Sequence, residues 1–155
     1  MKLFSAFKRE ESNLLEIGGG IYSINIPSSY LWEYDEEGTL LFYSPGEETI
    51  TLRITVLSLE RKDGKTSHGA DIVIEDAISQ NLEYEILADG VTFLETPPEY
   101  QTENGTELIM QFCYIGRDNS LIIISSTTIL NRAESDAVKV MKDDLKQIFR
   151  SVIRL

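Results

Sequence analysis

Cysteine and histidine, which commonly serve as catalytic or metal-binding residues, are scarce in this sequence. Its 155 residues include one cysteine and one histidine. Cys113 has no second cysteine to pair with, and its place in an apolar strand pattern predicts a buried, unreactive thiol in a reducing compartment. His68 lies in a polar loop sequence with no serine-nucleophile motif or metal-ligand spacing nearby. The sequence therefore predicts a protein that is not an enzyme and that holds no metal or cofactor.

Long hydrophobic runs are also missing. No stretch approaches the roughly 20 apolar residues that a membrane-spanning helix needs. The first apolar stretch, Leu3 to Phe7, is too short for a signal-peptide core and is followed at once by charged residues. From this pattern we expect a soluble cytoplasmic protein with no stable membrane association.

Basic residues are few, with 14 lysines and arginines against 26 acidic residues and a formal net charge of −12. Residues 21–105 hold four of the bases and 17 of the acids, a net charge of −13, whereas residues 106–155 are nearly neutral. An acidic surface repels phosphate backbones, so nucleic acid is excluded as the expected partner. A basic protein is compatible with this charge.

The apolar pattern predicts an N-terminal arm, 1–20, and a single domain, 21–155. A short amphipathic helix is predicted within the arm at 3–15, before the three glycines at 18–20. In the domain, alternating or continuous apolar residues predict strands at 21–26, 39–44, 50–57, 91–94 with a continuation at 100–103, 108–115 and 121–124. Apolar residues at helical spacing predict helices at 70–83 and 131–155.

The predicted order β-β-β-α-β-β-β-α lacks the βαβ alternation of a parallel sheet. It indicates an α+β fold with a mainly antiparallel sheet and helices packed on it. The hairpin at 106–127 is apolar on both faces, so we expect it in the middle of the sheet with a helix on each side.

Two segments carry a resemblance to a known group. IYSINIPSSYLW, with a strand, Pro27 and then Trp32, and the strand SLIIISSTTIL before a terminal helix resemble the PsbP-like domains. That group includes PsbP of photosystem II, bacterial DcrB-type proteins and the Mog-type binder of the Ran GTPase. The resemblance spans roughly 21–153. It implies an α/β/α sandwich and no catalytic activity.

The segment 32–38 combines aromatic and acidic residues. Its carboxylates lack the EF-hand alternation that calcium binding requires. It can be interpreted as a solvated acidic loop in which Trp32 fills the core, or as a protein-binding loop with aromatic anchors beside charges that attract a basic partner. The residues of this candidate partner-binding site are Trp32, Glu33, Tyr34, Asp35, Glu36 and Glu37, with Glu47 and Glu48 from the next turn.

Two functions remain open from the sequence. The first is a bacterial immunity or accessory protein that binds a basic protein through its acidic surface. The alternative is a carrier of a small ligand or lipid, with a pocket between sheet and helix lined by Phe112, Tyr114 and Phe149. An enzyme would require a cleft in which His68 meets two carboxylates.

Overall fold

The structure is a computed structural model that describes residues 12–43, 50–59, 68–87, 90–132, 139 and 147–154. The described strands are β1 (Ser12–Ile17), β2 (Tyr22–Pro27), β3 (Leu31–Tyr34), β4 (Leu40–Tyr43), β5 (Ile50–Ser58), β6 (Glu85–Ile86), β7 (Thr92–Glu95), β8 (Glu99–Glu103), β9 (Thr106–Arg117), β10 (Ser120–Ile129) and β11 (Ile153–Arg154). Helix α1 spans Gly69–Gln80, a 3-10 turn spans Leu130–Arg132, and residues 147–150 are helical.

The strands form two antiparallel sheets. The larger has the order β3-β4-β5-β10-β9-β7-β6, with β8 also paired to β9, and the smaller has the order β1-β2-β11. β9 and β10 lie centrally in the larger sheet, as their apolarity on both faces predicts. The turn between β8 and β9 contains Asn104 and Gly105, both with positive φ, the conformation for which an Asn-Gly pair is favoured in hairpin turns.

Each face of the larger sheet is covered by a different layer. On one face, Ile115, Ile122 and Ile124 share a core with residues of β1 and β2 and with Ile148 and Val152 near the C-terminus. On the opposite face, Val73 and Ala77 of α1 pack around Leu94. This arrangement confirms the predicted α+β class with a mainly antiparallel sheet and helices packed on it.

The chain termini differ from the prediction. The helix predicted at 3–15 is wrong for its described part, because Ser12 to Leu15 belong to β1, which pairs with β2. The helix predicted at 131–155 is wrong for residues 151–154, because the chain turns there and β11 pairs with β2. The two errors have different causes. β1 forms a local hairpin with β2 through the turn at 18–20, whose glycines have positive φ, whereas β11 reaches β2 from the far end of the chain, a pairing that local periodicity does not reveal. The division into an arm and a domain stays a prediction, although β1 pairs directly with the domain.

Candidate functional site

The candidate site is built on β3, the edge strand of the larger sheet. β3 pairs antiparallel with β4, with Trp32 opposite Phe42 and Tyr34 opposite Leu40. Among the described residues no strand pairs with its other side. The sequence interpretation of residues 32–38 as a loop is therefore wrong for Trp32, Glu33 and Tyr34.

Two aromatic side chains project from β3 without being buried. Trp32 is 42% exposed and Tyr34 is 43% exposed. Their rings meet edge to face with centroids 5.7 Å apart, the geometry that aromatic quadrupoles favour. The idea that Trp32 fills the core is wrong; the buried aromatic contact here is between Tyr30 and Phe42.

Tyr34 is held in place by the smaller sheet. Its hydroxyl donates a hydrogen bond to the carbonyl oxygen of Glu16 on β1, at 2.6 Å. Partial burial and the negative charge of Glu16 raise the pKa of Tyr34, which moves ionisation of this donor still further above neutral pH. The bond restrains one ring of the aromatic pair.

The acidic residues that follow β3 have different roles. The Asp35 carboxylate accepts hydrogen bonds from the backbone N–H groups of Glu37 and Thr39, each at 2.9 Å, and so builds the turn to β4. Glu33, Glu36 and Glu37 are exposed. Asp35 is therefore a structural residue as well as a charge, while the three glutamates face solvent. Glu47 and Glu48 lie outside the described residues.

The residues proposed for a ligand pocket do not all meet. Phe149 lines an open cleft of about 380 Å³ beside β6 and β7. Tyr114 packs with α1 on the opposite face of the sheet, stacked with Phe112 at 6.2 Å. The lining of the cleft consists of Glu83, Tyr84, Glu85, Phe93, Glu95, Cys113, Phe149 and Arg150. This wall combines four charged side chains with three aromatic rings, and its charges disfavour a lipid tail.

The residues that usually form catalytic or metal sites do not lie together in the described part of the chain. Burial and, to a lesser degree, the charge of Glu95 raise the pKa of Cys113 to about 12, which keeps its thiol protonated. His68 immediately precedes α1 and is exposed. Within the described ranges, no three histidine, cysteine or acidic side chains converge in a way that could hold a metal ion. Nor is any helix described there long and apolar enough to cross a membrane.

Comparison with known proteins finds similar structures but no matching sequence family. No family model matches the sequence, and no curated protein matches it either. The structure resembles a 1.50 Å crystal structure of a protein from Bacteroides thetaiotaomicron, with a TM-score of 0.66, 20% identity, and coverage of 95% of this chain and 49% of that chain. This chain thus spans about half the length of that protein.

The Ran-binding protein Mog1p of Saccharomyces cerevisiae is similar over nearly its whole length. The TM-score is 0.55 at 10% identity, with 94% of this chain and 96% of Mog1p covered. This chain shares the fold of Mog1p, the Mog-type member of the group named from the sequence. The resemblance noted from IYSINIPSSYLW and SLIIISSTTIL is thereby confirmed at the level of fold. A solution structure of the PsbP protein of Synechocystis gives a TM-score of 0.41 at 11% identity.

The feature that sequence reasoning missed is the edge position of the aromatic pair. Leu31, Trp32 and Tyr34 are residues that favour strands, and they lie between Pro27 and Gly38, so a short strand was detectable. Its place at the edge was not, because it depends on which of several strands pairs with β4.

Proposed function

We propose that the protein is a non-catalytic protein-binding domain whose acidic edge engages a basic partner. The observation that carries the proposal is the exposed aromatic pair of Trp32 and Tyr34 on an edge strand, next to exposed carboxylates. The binding residues are Trp32, Glu33, Tyr34, Asp35, Glu36 and Glu37, with Glu47 and Glu48 as the predicted extension of the same surface.

Aromatic and acidic residues contribute differently to such a surface. Large amphipathic rings supply much of the affinity when a partner covers them, because they bury a large area at low cost in side-chain entropy. Surface carboxylates mainly accelerate association with a positively charged partner and exclude acidic ones. The hydrogen bond from Tyr34 to Glu16 supports this assignment, since a fixed ring loses less freedom on binding.

The concrete form of the proposal is a cytoplasmic bacterial immunity or accessory protein that neutralises a basic toxin domain. The net charge of −13 over residues 21–105 supports a basic partner. Mog1p, which shares the fold, is a Ran-binding protein, so protein recognition is compatible with this architecture.

Charge reversal at the three exposed glutamates tests the proposal. A partner is first captured from an extract of the native cells, identified and purified, and its affinity and association rate are then measured by surface plasmon resonance. The variant Glu33→Lys, Glu36→Lys, Glu37→Lys keeps Asp35 and therefore the turn. We expect it to bind at least about tenfold more weakly, with most of the loss in the association rate.

A matched variant controls for net charge. Glu75, Glu103 and Glu107 are exposed and lie on α1 and on the β8–β9 hairpin, with β4, β5 and β10 between that hairpin and β3. Their reversal to lysine changes the net charge equally, and we expect it to have a much smaller effect on affinity. Equal losses in the two variants, or none in the first, would contradict the assignment of the β3 surface.

A small-ligand carrier remains the second candidate because of the cleft beside Phe149. The lining of the cleft contains three glutamates and one arginine, so we expect it to prefer an amine to a fatty acid as its ligand. The glutamates are Glu83, Glu85 and Glu95. An alkyl amine and a fatty acid of equal chain length can be titrated and followed by amide NMR. If the protein is a carrier, we expect the amine to change the amide chemical shifts of Phe93 and Glu95 selectively. If neither compound changes them, the carrier function is ruled out.

A further inference from the structure

The backbone of β3 has a defined free side. At the turn, the N–H of Asp35 donates to the carbonyl oxygen of Thr39 at 2.9 Å, which makes these residues a hydrogen-bonded pair. Hydrogen-bonded and non-hydrogen-bonded pairs alternate along an antiparallel ladder. Glu33 and Leu31 therefore bond to β4, and the N–H and C=O groups of Trp32 and Tyr34 point away from it.

No described residue satisfies these outward groups. The larger sheet ends at β3, and the backbone hydrogen bonds of the described turns and loops include none from the N–H or to the C=O of Trp32 or Tyr34. Two residues spaced two apart thus offer two donors and two acceptors in a row. This is the template that an added strand uses.

The side chains of β3 protect this edge only weakly. Soluble proteins usually block an edge strand with proline, lysine or a bulge. β3 has regular pairing with β4 over all four residues, and three of the four are large and apolar, with Leu31 49% exposed. Glu33 is the single charge within the strand, and it disfavours only some partners.

The charge on β3 argues against a second copy of this chain as the partner. Antiparallel pairing of β3 with β3 of another copy would place Glu33 close to its counterpart, with both turns at Asp35 to Glu37 adding further negative charge. Like charges across a strand pair are destabilising. A strand with basic side chains on the Glu33 face removes this repulsion and replaces it with attraction.

We propose that the partner contributes an extended segment that pairs antiparallel with β3 through the backbone of Trp32 and Tyr34. The segment alternates apolar residues, which lie on the face of the two rings, with lysine or arginine on the face of Glu33. Antiparallel pairing is favoured because every described pair in this sheet is antiparallel. The inference rests on the proposed function, since it specifies how the same surface binds.

A synthetic peptide provides the probe. It is a fluorescein-labelled octapeptide with blocked ends that alternates valine and lysine, and binding is followed by fluorescence anisotropy. In antiparallel pairing, the valines lie opposite Trp32 and Tyr34 and direct their N–H groups to β3. We expect N-methylation of the valines to weaken binding at least about tenfold, whereas N-methylation of the lysines, whose N–H groups point outward, has little effect.

Two measurements on the protein support this test. In the free protein, NMR amide exchange should be slow for Leu31 and Glu33 and fast for Trp32 and Tyr34, and the peptide should slow the latter pair. Trp32→Ala and Trp32→Pro both remove the ring, but only proline also removes the outward N–H, which an edge strand tolerates. Trp32→Pro should therefore bind the peptide more weakly than Trp32→Ala.

The outcomes separate this inference from the function it rests on. If both methylated peptides bind like the parent, and the Glu33, Glu36 and Glu37 reversal still abolishes binding, strand addition is overturned but the acidic binding surface stands. If the parent peptide and a second one with arginine and isoleucine both fail to bind at millimolar concentration, strand addition is likewise overturned. Slow exchange of Trp32 and Tyr34 in a self-associated form without peptide would identify a second copy as the partner and overturn the proposal.

Discussion

Gly69, the first residue of α1, lies against Gly116 of β9, backbone to backbone. A Cβ on Gly116 would overlap the carbonyl group of Gly69, and a Cβ on Gly69 would overlap the carbonyl oxygen of Ser120. The N–H of Gly69 also donates to the carbonyl oxygen of Asp118 at 2.8 Å. The first residue of the helix therefore contacts the end of the β9–β10 hairpin so closely that neither glycine has room for a side chain.

Gly116→Ala should destabilise the protein strongly. A backbone carbonyl cannot rotate away as a side chain can, so the helix or the hairpin must shift, and we expect a loss of about 3 kcal/mol in the free energy of unfolding. Urea denaturation of the wild type and the variant measures this loss. Gly19→Ala serves as the control, because its φ of +69° carries a backbone cost of about 1 kcal/mol without any neighbouring atom within 4 Å. Equal losses at the two sites would refute the close contact.

The carboxylate of Asp35 should matter as a hydrogen-bond acceptor. Asp35→Ala removes the acceptor for the N–H groups of Glu37 and Thr39, and we expect it to lower the free energy of unfolding by about 1 kcal/mol. Asp35→Asn retains an oxygen acceptor and should cost much less, although it removes the same charge. Thermal or urea unfolding distinguishes them. If both substitutions had the same effect, the charge rather than the hydrogen bonds would hold the turn.

The buried thiol of Cys113 should make the folded state sensitive to alkaline pH. Its pKa is raised from 9.0 to about 12 by burial and by the charge of Glu95. The folded state therefore keeps a proton that the unfolded state releases above pH 9. Stability from this group is complete below pH 9 and falls as the pH rises toward 12, by about 1.4 kcal/mol per pH unit.

The Cys113→Ala variant isolates this effect, since the tyrosines titrate in both proteins. Urea unfolding at several values between pH 7 and pH 11 should give a steeper alkaline loss for the wild type than for Cys113→Ala. Parallel curves would mean that the thiol is accessible to solvent or ionises in the folded state.

Arg150 connects the C-terminal helical residues to β6. Its Nη2 donates to both carboxylate oxygens of Glu85, at 3.0 and 2.7 Å, and the guanidinium carbon lies 5.7 Å from the ring centroid of Phe93. Because both charged side chains are about half exposed, we expect a coupling of only about 0.5–1 kcal/mol in a double-mutant cycle of Arg150→Gln and Glu85→Gln. High salt should reduce this coupling. A coupling unchanged in 1 M salt would show that the hydrogen bonds between the two side chains, rather than their opposite charges, hold the pair.

Local pattern was sufficient where an element is defined by its own residues. The strands at β2, β4, β5, β7, β9 and β10, the middle helix and the turn at Asn104-Gly105 follow from alternation, helical spacing and turn chemistry. The continuation at 100–103 was predicted too, and it is the separate strand β8. The central place of the β9–β10 hairpin also followed, because only a strand covered on both faces is apolar on both.

The candidate site was only partly predictable. Trp32 and Tyr34 were recognised as neighbours of an acidic cluster, but Asp35 was not distinguished from the glutamates around it. The difference lies in the two backbone N–H groups that its carboxylate accepts. Those contacts depend on the path of the turn, which follows from the pairing of β3 with β4.

The sequence by itself determined the class of fold, the acidity of the first two-thirds of the chain and the identity of most strands, because each of these is encoded in residue type and short-range spacing. The tertiary structure alone decided that β1 and β11 join β2, that Phe112 and Tyr114 lie on the opposite face from Phe149, and that β3 is an edge. The physical reason is that the place of a strand in a sheet depends on pairings between distant parts of the chain, such as β5 with β10 and β2 with β11, and no local period records them.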